Sequence, residues 1–379
     1  MERDLFTAEH DEFRDVVRDF LAKEVEPNLL DWEEAGMVPK SLYRQFGDLG
    51  VNGICIPEEY GGAGVESFLY NVVVGEEMAS LPMHLGGLSL HLDVVLPYFL
   101  ELANEEQRAR WFPALASGDS ISCIGMTEPG TGSDLAAIRT TATRDGDHYI
   151  VNGSKTFITG GINADLAVVV VRTGTDRRGG LSLLVVEDGM PGYDHSRKLD
   201  KLGMWATDTA ELFFDSVRVP VANLLGEEGK GFEYLTRNLP QERLSIALGA
   251  VAACESALAR TLAYVVERSA FGSSIGSFQN TKFELADVAT DIEAGRAMVD
   301  RGIVELERGR LTAADAAKIK LFATDLQGEV MDRCLQLFGG YGYMREYPIA
   351  KMYADARVSR IYGGTNEIMK VIVAQSLGL

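Results

Sequence analysis

Five stretches of this chain carry residues whose types and spacing can do chemistry, and a sixth carries an acid that needs explaining. Met126 to Asp134, MTEPGTGSD, combines Pro129, Gly130 and Gly132, which keep a turn free of bulk, with the hydrogen-bonding side chains of Thr127, Glu128, Thr131 and Ser133. Such a loop can lie against a flat polar ring or a diphosphate, or it can be an ordinary connection. Ser154 to Gly161, SKTFITGG, places Phe157 and Thr159 two residues apart, on one face of an extended segment. That gives an aromatic platform with a hydroxyl beside it, although many plain strands share the pattern. Arg268 to Gly272, RSAFG, followed by Phe278-Gln279, offers a guanidinium fork for a diphosphate at a helix end, where the helix dipole also favours a cation. Gln336 to Gly342, QLFGGYG, and Ile361 to Glu367, IYGGTNE, interrupt helices with glycine and can present backbone amides to an anion. Finally Leu239 to Leu244, LPQERL, sets Glu242 beside Arg243 at the head of a long apolar run. An acid in a first helical turn complements the dipole by about 0.3 to 1 kcal/mol, and that alone accounts for Glu242 locally.

The elements that must position these residues fall into three textures. Phe13, Val16, Val17, Phe20 and Leu21 recur at helical spacing between Thr7 and Val25, and further helices are expected near 40–49, 66–78, 86–102 and 105–115. Past Gly118 the pattern becomes short β-rich runs: Tyr149 to Val151, Leu166 to Val171, Leu181 to Val186 and Glu211 to Phe214. After Val219-Pro220 long helical segments return at 244–268, 281–308 and 312–338, lengths that suit an antiparallel bundle. The fold class expected is α+β: an all-α domain over 1–118, a β-domain over 119–222 and a helical bundle over 223–379. A site that draws on all three must lie at their junction.

Composition narrows the partners. With 379 residues, 46% of them hydrophobic, the chain can bury a large core. A net charge of -20 disfavours nucleic acid and anionic membrane surfaces. Cys55, Cys123, Cys254 and Cys334 are far apart, without metal-ligand spacing, and read as reduced core residues. No run approaches the ~18 consecutive apolar residues of a membrane span, and the acidic start Met1 to Asp4 lacks a basic leader, so a cytoplasmic location without integral membrane association is expected.

Taken together and in this order, the six stretches resemble the acyl-CoA dehydrogenase family of flavoproteins, as do PEEYGG, the segment from Leu202-Gly203 to Val219-Pro220, and QLFGGYGYMREYP. The resemblance runs over essentially the whole chain and is closest to the long-chain branch, through LPQERL and IYGGTNEIMK. It implies an N-terminal α-domain, a middle β-domain and a C-terminal four-helix bundle, with FAD between domains and across a subunit contact in a homotetramer. Carried over by motif, Met126, Thr127 and Ser133 contact the flavin or its ribityl chain, Phe157 packs on the ring and Thr159 bonds near the reactive nitrogen. Arg268, Phe271 and Gln279, joined by Gln336, Gly339 and Gly340, meet the diphosphate and adenosine of a neighbouring subunit's FAD, and Thr365 and Asn366 complete the site from their own chain. Ser133, Arg243, Tyr362, Gly363 and Gly364 are expected around the substrate. By analogy with the family's pocket helices, Gly86, Gly87, Ser89 and Leu92 to Leu96 line the acyl tail pocket.

One departure fixes the expected chemistry. Many family members carry the catalytic glutamate directly after the tyrosine of YxGT, where this chain has Gly363. The long-chain and isovaleryl branches carry it before the arginine of the helix-start motif, which is the place of Glu242. The resemblance therefore implies that Glu242 takes the α-proton of an acyl-CoA thioester, with the Gly363 amide polarising the carbonyl, while the β-hydride goes to flavin and its electrons to an electron-transferring flavoprotein. Two other outcomes share the fold: an oxidase or monooxygenase using oxygen, and a dehydrogenase of acyl-carrier-protein thioesters.

Overall fold

The structure, a computed structural model, describes residues 3–379, the surroundings of Gly86 excepted. Seven helices come first: α1 Ala8–Phe20, α2 Leu29–Ala35, α3 Lys40–Asp48, α4 Leu69–Ser80, α5 Gly86–Ser89, α6 Leu96–Leu102 and α7 Glu105–Ser117. Wider π-helical turns extend α1 over Leu21–Val25 and join α5 to α6 over Leu90–Val95. Gly118, left-handed at φ 76°, closes α7 and hands the chain to the sheet.

The sheet has eight strands: β1 Ser122–Gly125, β2 Thr141–Asp145, β3 His148–Thr159, β4 Leu166–Arg172, β5 Leu181–Glu187, β6 Tyr193–Lys198, β7 Thr209–Pro220 and β8 Leu224–Leu225. Their order is β6-β7-β3-β2-β4-β5-β8, with β1 paired in parallel to β4. The run Val168 to Val171 is buried on both faces. Val168 and Val170 pack with Phe99, Trp111 and Phe112 of the N-terminal helices, while Val169 and Val171 pack with Tyr149, Val151 and Leu212 inside the sheet. Pleating thus makes β4 the seam between the α-domain and the β-domain.

The last third begins with α8, Gly231–Glu267, and after a two-stranded hairpin (β9 Ser269–Ala270, β10 Ser273–Ser274) continues as α9 Gln279–Glu307, α10 Ala313–Phe338, α11 Pro348–Ala356 and α12 Asn366–Ser376. Leu244, Leu248 and Val251 of α8 share one core with Val288 and Ile292 of α9, Leu326 and Val330 of α10, and Val72 of α4. α8 has the length and apolarity of a membrane span, but here it is the central helix of that packed core.

α8 starts well before the apolar run at Leu244 and carries Pro240 inside it. Glu242 therefore stands about three turns from the helix N-terminus, and the dipole explanation for it falls, because that effect fades within the first turn. Pro240 removes one helical hydrogen bond without ending the helix. Tyr234 and Leu235 upstream are buried against the N-terminal core, and this packing carries the helix through.

Candidate active site

A cavity of about 350 Å³ opens where the three domains meet. Its wall takes Met126, Thr127, Ser133, Phe157 and Thr159 from the β-domain, Glu242 and Arg243 from α8, and Tyr362, Gly363 and Gly364 from the turn before α12. Residues far apart in sequence are thus gathered into one site.

Glu242 is 6% exposed. Tyr98 of α6 donates its hydroxyl to Oε1 at 2.8 Å. Burial pushes the Glu242 carboxyl up to about 7, against the opposing pull of the Tyr98 bond and the Arg243 charge. A base with that affinity is poised to accept a proton near neutral pH. Arg243 does not pair with it directly. Its Nε donates instead to the carbonyl of Gly363 at 3.2 Å.

The glycine turn is held from both sides. Lys320 of α10 is fully buried and donates to the Gly364 carbonyl at 2.9 Å and to Asn366 Oδ1 at 3.0 Å. Burial, and then the nearby Arg243 charge, lower the Lys320 ammonium to about 8. Two cations therefore fix two successive carbonyls of the turn. Among the described residues, nothing accepts from the amides of Gly363 and Gly364. Gly363 sits at φ 63° and Gly364 at φ 89°, left-handed conformations that favour glycine. A Cβ on Gly363 would also lie 2.3 Å from Cδ1 of Ile246, which is one helical turn beyond Glu242. A side chain at position 363 would have to displace the tip of that isoleucine as well as adopt left-handed backbone.

On the opposite wall, Phe157 is left-handed at φ 61° and 68% exposed. This corrects the simple extended reading: the register between β3 and β7 shifts between Lys155 and Ile158, so Phe157 is displayed by a bulge and not by pleating alone. Holding a bulky residue at positive φ is strained, and such strain clusters at functional sites. The 126–134 loop is stapled to the same strand. Lys155, with no exposed surface, donates to Glu128 Oε1 at 2.9 Å and to the Met126 carbonyl at 3.3 Å, and Glu128 also accepts from the amides of Arg139 and Thr140. Glu128 and Thr131 are buried within the loop, so only Thr127 and Ser133 of its four polar side chains face the cavity.

A second, open concavity gathers Arg268, Gln336, Gly339 and Gly340 beside Tyr264 and Tyr341 at the far ends of α8 and α10. Arg268 lies 5.4 Å over the Tyr341 ring. Phe271 is 98% exposed on the hairpin turn, and Gln279 is exposed at the start of α9. Thr365 and Asn366 lie beside the main cavity and do not line it. Thr365 caps α12, accepting from the Ile368 amide, and the Asn366 side chain is engaged by Lys320, Thr324 and Asp325.

The expected tail-pocket segment is corrected in detail. Ser89, Asp93 and Val94 line the cavity, but Leu92, Val95 and Leu96 point into the core. Gly87 packs so closely on Tyr43 that a Cβ would lie 2.4 Å from its hydroxyl, and Gly86 lies outside the described residues in this respect. The π-helical turn rotates this segment away from the face that regular helical periodicity predicts. Tyr98, Lys155, Lys320 and Ile246 were not marked by the sequence.

Comparison with known proteins decides the family. Residues 7–119, 123–217 and 229–378 match the N-terminal, middle and C-terminal domains of acyl-CoA dehydrogenase. The chain is 47% identical over 378 residues to the mitochondrial long-chain specific acyl-CoA dehydrogenase of Rattus norvegicus, covering 99% of this chain and 88% of that one. This chain belongs to the acyl-CoA dehydrogenase family. It is also 39% identical to an acyl-CoA dehydrogenase of Bacillus subtilis, over 98% of both chains. Among solved structures, an acyl-CoA dehydrogenase from Geobacillus kaustophilus superposes with a TM-score of 0.97 at 46% identity, covering 100% of each chain.

Acyl-CoA dehydrogenases are FAD flavoproteins, and the residues present here fit a flavin. Phe157 offers an exposed aromatic face beside the Thr159 hydroxyl. Gly130 and Gly132 leave open space beyond their backbone, where a ligand can approach closely. Arg268, with the glycines after α10, forms the cationic and amide-rich surface that a diphosphate requires.

Proposed function

We propose that this chain is an FAD-dependent dehydrogenase of acyl-CoA thioesters in which Glu242 is the base. The observation that carries the reading is Glu242 itself: a buried carboxyl on the cavity wall, pushed up to about 7, close to a glycine turn whose amides are free. The α-carbon of a thioester is a weak acid, so a carboxylate must stand beside it while donors stabilise the charge that builds on the carbonyl oxygen. Glu242 takes the α-proton. The Gly363 amide polarises the carbonyl, and Arg243 and Lys320 hold the turn so that no reorganisation is needed as charge develops. Flavin, held by Phe157, Thr159 and the 126–134 loop, would supply the two-electron acceptor for the β-hydrogen and its bonding pair. The onward acceptor in this reading is an electron-transferring flavoprotein.

The site is shared between copies of the chain. Arg268 lies about 39 Å along α8 from Glu242 at 1.5 Å per residue, farther than one extended flavin dinucleotide reaches. Arg268, Phe271, Gln279, Gln336, Gly339 and Gly340 then serve the cofactor of a neighbouring subunit, as a homotetramer of this family would require.

The tail side of the cavity passes Gly75, Met78 and Ala79 of α4 and Leu248, Gly249 and Ala253 of α8, an apolar, small-residue channel suited to a long unbranched or modestly branched chain. Anaerobic flavin bleaching across a panel of chain lengths, branching patterns and carriers tests this. Fast bleaching by long-chain CoA esters is expected. Bleaching only by short acyl groups, or only by acyl-carrier-protein thioesters, would overturn the substrate assignment.

A further inference from the structure

We infer that Tyr98 is a positioning residue for the base: its hydroxyl holds one oxygen of Glu242, keeps the carboxyl in the ionised form that can accept a proton, and leaves the second oxygen for the substrate. The inference rests on the reading of Glu242 as the base.

The local sequence explains how Tyr98 reaches that position. Pro97 has no backbone N–H, so a helix passing through it leaves the carbonyl four residues earlier, on Asp93, without its usual partner. That carbonyl accepts from Gln241 Nε2 of α8 at 3.3 Å. The residue after the proline, Tyr98, then meets the residue after the glutamine, Glu242, at 2.8 Å. One turn on, Glu101 of α6 receives Arg237 in an ion pair and Asn238 Nδ2 at 3.3 Å. Three ties thus fix the register of the π-helical turn and α6 against α8. In a regular α-helix the ring of Tyr98 would point elsewhere, and π-helical insertions are frequent where a side chain must be re-aimed at a functional site.

Chemistry makes Tyr98 a suitable partner. It has no exposed surface, and both burial and the adjacent carboxylate hold its phenol well above the usual range. Its proton therefore stays on the phenol throughout the working pH range, and it acts only as a donor to Glu242. A hydroxyl-to-carboxylate bond favours the charged form of the acid. It also restricts the torsions of a flexible glutamate to one arrangement. The other titratable or charged groups around Glu242 are Arg243 on its own helix, Asp93 on the π-helical turn and Tyr362 on the glycine turn, with Lys320 behind that turn and His84 and Asp355 elsewhere on the cavity wall. Of these Arg243 alone bears on the Glu242 carboxyl along with Tyr98, and it is committed to Gly363.

The test compares Tyr98→Phe with the parent enzyme, both loaded with flavin, by the pH profile of kcat and by KM for an acyl-CoA. Removing the hydroxyl moves the acid limb of the profile up by about one to two pH units and lowers kcat at pH 7 roughly fivefold to fiftyfold. KM stays near that of the parent, and the rate recovers at alkaline pH. A loss of equal size at every pH, with the limb unmoved, is what a merely structural role gives and overturns the inference. So does an unchanged kcat. Fluorotyrosine incorporated at position 98 keeps the volume and strengthens the donor, so it guards against a folding failure of the phenylalanine variant. It moves the limb down, and an unmoved limb there also overturns the inference. Glu242→Gln run in parallel separates the two levels: if that variant turns over normally the base assignment itself fails, whereas a dead Glu242→Gln with an unshifted Tyr98→Phe profile sinks only the role of Tyr98.

Discussion

Glu242 costs the fold stability at the pH where it works. Its carboxyl is raised in the folded state from an ordinary value of 4.5 to about 7. Between those values the folded chain keeps a proton that the unfolded chain has lost, so stability falls as pH rises from about 4.5 to about 7 and is level above that. The amide in Glu242→Gln cannot ionise. That variant should match the parent near pH 4 and exceed it above pH 7 by roughly 2 to 4 kcal/mol, as read from denaturant unfolding at a series of pH values. A stability difference that does not change with pH would show that Glu242 is not strained in this way. Part of this was legible from residues alone: the empty acid position at Gly363 and the charged pair in LPQERL point to Glu242 through family resemblance. What disfavours a side chain at Gly363 was not legible, because it lies in left-handed backbone and in the nearby tip of Ile246, more than a hundred residues upstream, which no composition rule reveals.

At the scale of elements, the site depends on how strands and helices are aimed at one another. The buried Lys155–Glu128 pair ties the 126–134 loop to β3, next to the bulge that displays Phe157. Breaking a buried pair by removing one partner leaves the other uncompensated, at a cost of about 3 to 5 kcal/mol. Lys155→Met should therefore lower the melting temperature and weaken flavin retention together, measured by thermal unfolding and by flavin fluorescence after gel filtration. Loss of stability with full flavin retention would separate the staple from the site. The valine runs of β4 and β5 and the apolar faces of α1, α9 and α10 could be read in advance, since burial on one or both faces writes itself into periodicity. β6, with its polar sequence YDHSRK, could not, because an edge strand is defined by its partner β7 and not by its own pattern. Nor could the first turns of α8 ahead of Pro240, which are held by packing against the α-domain.

At the scale of the whole molecule, the N-terminal helices are tied to the bundle so that their contributions to one cavity stay in register. Arg3 bridges Glu76 of α4 and Asp300 of α9, and Arg296 of α9 bridges Glu76 and Glu255 of α8. Charges that are buried or partly buried and mutually paired in this way resist separation of the N-terminal helices from the bundle. The fold class and the three-part order were legible from changes in texture along the chain. The meeting of Phe157, Glu242 and Gly363 was legible only through resemblance, since each comes from a different element and nothing local announces the others, and the place of Tyr98 beside Glu242 was not legible at all. The measurement that bears most directly on the account is anaerobic stopped-flow reduction of the bound flavin by a long-chain acyl-CoA in Glu242→Gln against the parent chain. With thioester binding intact, reduction should slow by about 10² to 10⁴-fold, the usual worth of a general base. Reduction at the parent rate would show that another group removes the α-proton, and would contradict the assignment of Glu242.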